Sequence, residues 1–209
     1  VSSLLSSGDH KAVNKMHQMS FLIYNLVIFP IIAGMLIVND DFVQFFLGKD
    51  FQDARYAIAI MIFRMFFIGW TNIMGIQILI PHDKNKEFML STTIPAIVSV
   101  GLNLLFLPHF GFIGAAIVSV LTESLVWFIQ LYYTLPYLKE VPILGSMAKI
   151  VCASAMMYGL LLCAKPFLHF SPTLNVLVYA VLGGLIYLFA ILALKVVDVK
   201  ELKQIIGKN

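Results

Sequence analysis

Long apolar stretches separated by short polar ones dominate this chain. Six of the stretches contain about 20 residues each, which is the length that a helix needs to cross the hydrocarbon core of a membrane. They are residues 21–38, 56–80, 89–107, 112–134, 147–164 and 174–194. Proline or glycine lies at most of their boundaries, where helices usually end. The pattern predicts an all-α membrane protein with a bundle of about six transmembrane helices.

The two ends of the chain are more polar than the rest. Residues 1–19 mix serine, aspartate and lysine with a few apolar side chains, and residues 196–209 alternate apolar and lysine positions at helical spacing. Such amphipathic segments can lie along a membrane face. We therefore divide the chain into a cytoplasmic connector (1–19), a transmembrane bundle (20–195) and a cytoplasmic amphipathic tail (196–209). A frayed extension of the last spanning helix is the alternative for the tail.

The placement of lysine and arginine predicts the orientation of the bundle. Lysines lie in the connector, in the loops 81–88 and 135–146 and in the tail, whereas the loop 39–55 contains four aspartates. Because positively charged loops remain in the cytoplasm, both chain ends are predicted to be cytoplasmic. The acidic loop 39–55 is then predicted to face outward.

The composition excludes several other classes of protein. The chain is 60% hydrophobic and 12% charged, with a mean hydropathy of +0.92, whereas soluble domains contain about 25% charged residues. The net charge of +3 has no dense basic block, so we expect no nucleic-acid partner. Cys152 and Cys163 lie about 16 Å apart along one predicted helix and cannot form a disulfide with each other. The five scattered histidines show no metal-ligand spacing, and we expect neither a metal nor a cofactor.

Two predicted spans carry a charged residue near mid-depth, Arg64 and Glu123. A charge in hydrocarbon costs at least about 2–3 kcal/mol, so it usually faces a protein interior or a water-filled path. On a helix, Arg64 shares one face with Thr71, and Asn72 lies at the edge of that face. A planar guanidinium suits phosphate oxygens, which makes these three residues candidates for binding an anionic substrate. A salt bridge and snorkelling to the surface are the alternatives for Arg64.

Glu123 shares a helix face with Gln130, and both are candidates for ion coupling or gating. A glutamate at that depth can carry a proton or a cation through a transport cycle, or it can pair with Arg64 and stabilise one state. Both interpretations stay open. Asn25 is a further candidate for the substrate cavity, although an asparagine in a spanning helix more often makes hydrogen bonds between helices.

No catalytic motif occurs in the chain, which lacks G-x-S-x-G, a Walker lysine loop, H-E-x-x-H and C-x-x-C. The predicted outward loops are too short to form a catalytic domain. We therefore expect a transporter and not an enzyme such as a glycan polymerase or ligase.

Four segments together resemble a known family. Residues 48–54 have the form G-x-x-F-x-x-A, residues 77–81 resemble a "qiLiP" helix end, residues 102–108 resemble an "LN-x-x-LIP" turn, and residues 111–123 resemble "G-x-x-GAAIat…E". Their order and spacing resemble the bacterial polysaccharide repeat-unit flippases. These Wzx-type O-antigen and capsule exporters belong to the multidrug/oligosaccharidyl-lipid/polysaccharide exporter superfamily. The chain departs from the turn pattern at Phe106 and Leu107, which replace Leu-Ile.

The resemblance implies the C-terminal half of an exporter with 12–14 spanning helices. It implies that the protein flips an undecaprenyl-diphosphate-linked oligosaccharide across the bacterial cytoplasmic (inner) membrane for surface polysaccharide synthesis. The implied partners are that lipid-linked oligosaccharide, membrane lipids and an N-terminal half or partner chain. In this scheme Arg64 neutralises the diphosphate, and Glu123 carries a coupling proton or stabilises one state. A multidrug/cation antiporter of the same superfamily and a non-transporting half-transporter fragment are the alternatives.

Overall fold

A computed structural model describes residues 9–168 and 170–196, and these residues form helices and no strands. The prediction of an all-α membrane protein is confirmed. The helices are α1 (His10–Phe46), α2 (Ala54–Asn72), α3 (Asn85–Leu138), α4 (Ile143–Ala164) and α5 (Pro172–Ala193). A π-helix (Ile73–Leu79) and a short 3-10 helix (Ile80–His82) extend α2. Two other short 3-10 helices, Lys49–Phe51 and Lys165–Phe167, lie before α2 and after α4.

Five helices of the described residues are long and apolar enough to cross a membrane, and the third of them is a hairpin. Gly111 interrupts α3 with φ 55° and ψ −138°, a conformation that glycine adopts readily. The chain reverses direction at Gly111. The reversal brings the carbonyl oxygen of Phe106 so close to Gly114 that a β-carbon there would lie 2.6 Å from it. Farther along, Gln130 donates a hydrogen bond to Ser91 across 39 positions of sequence. The two limbs of α3, residues 85–110 and 112–138, correspond to the third and fourth predicted spans.

Several helix boundaries lie outside the predicted spans. The predicted loop 39–55 is helical as far as Phe46, and the predicted loop 135–146 is nonhelical only between Leu138 and Ile143. The reason is that polar residues mark where a helix leaves the hydrocarbon, whereas backbone hydrogen bonding can continue beyond that point. The described part of the connector, from His10 onward, is continuous with α1, and residues 197–209 of the predicted tail lie outside the described residues.

The described residues form two compact units, and the division falls within α1. Of the described residues, the first unit contains 9–28 and 53–143, and the second contains 29–52, 144–168 and 170–196. The boundary between Ile28 and Phe29 is adjacent to Pro30, which lies inside α1. All of the site described below belongs to the first unit.

The first unit packs the N-terminal part of α1 and the hairpin of α3 against α2. Phe21 and Trp70 are buried, with ring centroids 4.7 Å apart. In the second unit, α4 and α5 pack closely, since a β-carbon on Gly183 would lie 3.1 Å from Leu161. In each unit the buried side chains are mainly apolar. The buried polar side chains are the exceptions, and their hydrogen bonds are described below.

Candidate functional site

A cavity of about 390 Å³ lies between α2 and the two limbs of α3. Five of the six residues predicted for the site line it: Arg64, Thr71, Asn72, Glu123 and Gln130. The first limb of α3 completes the wall with Phe88, Thr92, Pro95 and Ala96. The structure therefore brings most of the candidate residues together, while their roles in binding and coupling stay predictions.

Arg64 and Glu123 form an ion pair at one level of this cavity. Nε and Nη2 of Arg64 both lie 3.4 Å from Oε2 of Glu123. Strong pairs of this kind have distances of about 2.7–2.9 Å, so this pair is loose. The side chains are 38% and 17% exposed, respectively. The pairing alternative for Arg64 thus matches the observed geometry, and Nη1 makes no hydrogen bond to the described part of the protein.

A second, uncharged level lies deeper in the cavity. Thr71 follows Arg64 by seven residues on α2, and Gln130 follows Glu123 by the same number on the second limb of α3. Because the hairpin makes this limb run in the same direction as α2, both steps lead about 10 Å toward the Lys84 end. The cavity therefore has an ionic level and a neutral hydrogen-bonding level.

The hydrogen bonds around Gln130 determine how its amide is oriented. The hydroxyl of Ser91 donates to the carbonyl of Phe88 at 2.7 Å, so its single hydrogen is used. Ser91 Oγ can then only accept, and it accepts from Nε2 of Gln130 at 3.1 Å. The remaining amide atom, Oε1, is buried and has no hydrogen-bond partner among the described residues.

Gly75, in the π-helix, provides the space for this arrangement. A β-carbon there would lie 2.5 Å from the ring of Phe88 and 3.3 Å from Nε2 of Gln130. Single π-turns in helices are frequent at functional sites. Here the seven-residue π-helix Ile73–Leu79 follows directly after the cavity residues Thr71 and Asn72.

Asn25 does not line the cavity. It is 1% exposed, and its Oδ1 accepts a hydrogen bond of 3.0 Å from the indole nitrogen of Trp70. This hydrogen bond joins α1 to α2. Asn25 therefore has the interhelical role that is the more common one for an asparagine in a spanning helix. Sequence reasoning missed the polar lining residues Thr92 and Thr122, and it missed Ser91, which does not line the cavity but bonds to Gln130. Their polarity within apolar stretches was the available signal.

Two shallow apolar grooves continue from the cavity along the surface of the first limb of α3. The first, of about 520 Å³, shares Thr92 and Ala96 with the cavity. The second, of about 330 Å³, shares Val100 with the first and ends at Pro108. From Thr92 to Pro108 the track is about 24 Å long, close to the thickness of a bilayer core of about 30 Å.

Within residues 9–168 and 170–196, no three His, Cys, Asp or Glu side chains gather as metal ligands would. The charged residues among those that line the cavity are Arg64 and Glu123, so its described wall has one charge of each sign.

These features define a multi-helix membrane protein with a polar cavity inside one helical unit. The chain is similar to the "Uncharacterized membrane protein MJ1068" of Methanocaldococcus jannaschii, with 24% identity over 207 residues. The similarity covers 99% of this chain and 40% of that protein, so the chain spans less than half the length of this curated relative. No protein-family model matches the chain, and no solved structure matches it significantly.

Proposed function

We propose that this chain is part of a flippase for a lipid-linked oligosaccharide, with undecaprenyl diphosphate as the lipid carrier. The observation that carries the proposal is the continuity between the cavity of Arg64 and the apolar track that begins at Thr92 and Ala96. A lipid with an anionic head group and a long apolar chain has the same distribution of polarity. The resemblance of residues 48–123 to polysaccharide repeat-unit flippases supports the same substrate.

Arg64 binds the diphosphate in this proposal. Its guanidinium lies 3.4 Å from a single carboxylate oxygen, and its Nη1 has no partner among the described residues. A phosphate group can therefore compete for the guanidinium, because it offers shorter, charge-assisted hydrogen bonds in a planar arrangement.

Glu123 provides the coupling in this proposal. When the diphosphate occupies Arg64, the carboxylate of Glu123 loses its cationic partner in a partly buried position. An unpaired buried charge is costly, so the protein without substrate favours the state in which the ion pair is intact. Release of the diphosphate on the other side restores the ion pair and returns the protein to that state.

We further propose that the chain acts together with additional membrane helices and that it is not an enzyme. The chain spans 40% of its relative, which leaves length for a second bundle in a protein of that size. Alternating access of two bundles around a midplane site is common in transporters. In this arrangement both ends of the chain lie on the cytoplasmic side of the bacterial inner membrane.

Export of cationic drugs is the competing function in the same superfamily. It would require a cavity dominated by carboxylates, whereas the described wall has one arginine and one glutamate. A half-transporter without activity of its own is the other competitor. In the experiment below, polysaccharide export by the unsubstituted protein supports the flippase, drug efflux without export supports the antiporter, and the absence of both activities supports the inactive half-transporter.

The test is complementation of polysaccharide export by the full-length protein carrying Arg64→Ala. We expect export to be lost while the amount of protein in the membrane is unchanged. Arg55→Ala is the matched control, because Arg55 lies outside the cavity at the start of α2. Normal export by the Arg64 variant would refute the assignment, and drug efflux by the unsubstituted protein without export would favour the antiporter.

Exchanging the charges of Arg64 and Glu123 tests whether Arg64 binds the substrate or only forms an ion pair with Glu123. The double variant Arg64→Glu with Glu123→Arg keeps an ion pair at the same level of the cavity. If Arg64 serves only to pair with Glu123, export should return. We expect no recovery of export, because the cation is displaced from its position on α2.

A further inference from the structure

The neutral level of the cavity contains an unpaired acceptor whose orientation is determined by its neighbours. Nε2 of Gln130 donates a hydrogen bond to Oγ of Ser91, and Oγ of Ser91 donates one to the backbone carbonyl of Phe88. Exchanging the amide atoms of Gln130 would place two acceptors against each other. Oε1 is therefore the atom left without a partner among residues 9–168 and 170–196, and it is buried.

Leaving this acceptor unpaired is unfavourable for the protein. A buried acceptor without a hydrogen bond loses its hydration and gains nothing in return, and such groups usually have a structural or functional explanation. Methionine at this position would fill a similar volume without the cost. The cost is explained if a ligand supplies the missing donor.

We propose that Gln130 is a recognition residue for the sugar next to the diphosphate and that its Oε1 accepts a hydrogen bond from a hydroxyl or amide group of that sugar. This inference rests on the proposed function. It replaces the sequence-based prediction of ion coupling or gating for Gln130 with a role in substrate recognition.

The position of Gln130 relative to Arg64 agrees with this ligand. The two residues lie on levels of the cavity that are about 10 Å apart, so an anionic group at Arg64 can extend toward Gln130. A carbonyl-type acceptor repels phosphate oxygens and attracts hydroxyl and amide hydrogens. The neighbouring residues at this level, Thr71 and Asn72, are neutral hydrogen-bonding groups.

A cation is the less suitable ligand at this level. Glu123, the acidic residue that lines the cavity, precedes Gln130 by seven residues, which is about 10 Å along the helix axis. Sodium and similar ions require several oxygen ligands, and the residues that line the cavity at this level, Thr71, Asn72 and Gln130, are all uncharged. A sugar hydroxyl requires a single acceptor, which is what Gln130 offers.

The experiment compares the binding of two probes to the purified full-length protein in nanodiscs. The probes are undecaprenyl diphosphate and the same lipid carrying one N-acetylglucosamine. We expect the unsubstituted protein to bind the sugar-bearing lipid about 3- to 10-fold more tightly, which is the effect of one hydrogen bond. Gln130→Met should remove this preference without lowering the melting temperature, because it also removes the unpaired acceptor.

Two further variants make the result specific. Gln77→Met is the matched control: Gln77 also lies in a spanning helix, but its Oε1 accepts a hydrogen bond from Ser20 Oγ and it does not line the cavity. It should keep the preference for the sugar-bearing lipid. Ser91→Ala leaves Gln130 in place but releases its amide, and it should weaken the preference.

The outcomes distinguish this inference from the proposed function. Equal binding of both probes by the unsubstituted protein, or a preference that survives in Gln130→Met, would overturn the recognition role while leaving the flippase proposal intact. Failure to bind either probe would overturn both. Loss of the preference in Gln130→Met alone, with Gln77→Met unaffected, would support the inference.

Discussion

Gly69→Ala should destabilise the contact between α1 and α2 in the first unit. A β-carbon at Gly69 would lie 1.8 Å from Cζ of Tyr24, far inside the ordinary contact range of 3.4–4 Å. The ring would have to move by about 1.6 Å, and such overpacking typically costs 1–3 kcal/mol. The movement would also strain the hydrogen bond from the Tyr24 hydroxyl to the carbonyl of Met65.

The expected change can be worked out from these contributions. Overpacking of about 1–3 kcal/mol and a hydrogen bond of about 0.5–1.5 kcal/mol oppose a helix-propensity gain of about 0.5–1 kcal/mol for alanine over glycine. These contributions combine to a net loss of about 0.5–4 kcal/mol in the free energy of unfolding, with a central value of about 2 kcal/mol. Reversible unfolding in mixed detergent micelles, monitored by tryptophan fluorescence, measures this quantity.

Gly101→Ala is the matched control, since no described atom beyond its immediate neighbours lies within 4 Å of a β-carbon there. It should be neutral or slightly stabilising. Tyr24→Ala combined with Gly69→Ala should show strong coupling, because the added methyl then occupies the space that the ring vacated. If Gly69→Ala and Gly101→Ala have the same free energy of unfolding, Tyr24 does not pack closely on Gly69 of α2 and the prediction is wrong.

Two further changes test the hairpin and the buried hydrogen bond. Gly111→Ala should lower the free energy of unfolding by about 1–3 kcal/mol, because φ 55° with ψ −138° is unfavourable for a residue with a β-carbon. If this variant is as stable as the unsubstituted protein, the chain does not reverse at Gly111. Trp70→Phe should cost about 1–3 kcal/mol by leaving Oδ1 of Asn25 buried without its donor. In a double-mutant cycle, Asn25→Leu should cost much less in the Trp70→Phe background, and additive effects would contradict the bond.

The outline of the fold was predictable because spanning helices are determined by local sequence. The predicted span 56–80 agrees closely with the apolar helix Ala54–His82. The boundary at 108–111 was predicted from proline and glycine, and the structure places the reversal at Gly111. The extension of α1 to Phe46 was not predicted, because acidic residues were interpreted as a loop although they are also compatible with a solvated helix end.

The candidate site was only partly predictable, because helical periodicity assigns residues to a face without naming the facing helix. Arg64 with Thr71, and Glu123 with Gln130, were each placed on one face, and both faces line one cavity. Asn25 was included on polarity alone, and its bond to Trp70 required knowledge of how α1 packs. The contribution of Ser91 was missed because its effect acts through Gln130, 39 residues away.

The sequence by itself determined that this is an all-α membrane protein with two charges at mid-depth. The physical reason is that a bilayer core requires every backbone polar group to bond within its own segment, so apolar length alone specifies a helix. The tertiary structure decided that Arg64 pairs with Glu123 and that Oε1 of Gln130 is buried without a partner in the part of the chain that the structure describes. These results depend on which helix faces meet, and that is determined by the reversal at Gly111 and by packing between residues far apart in sequence.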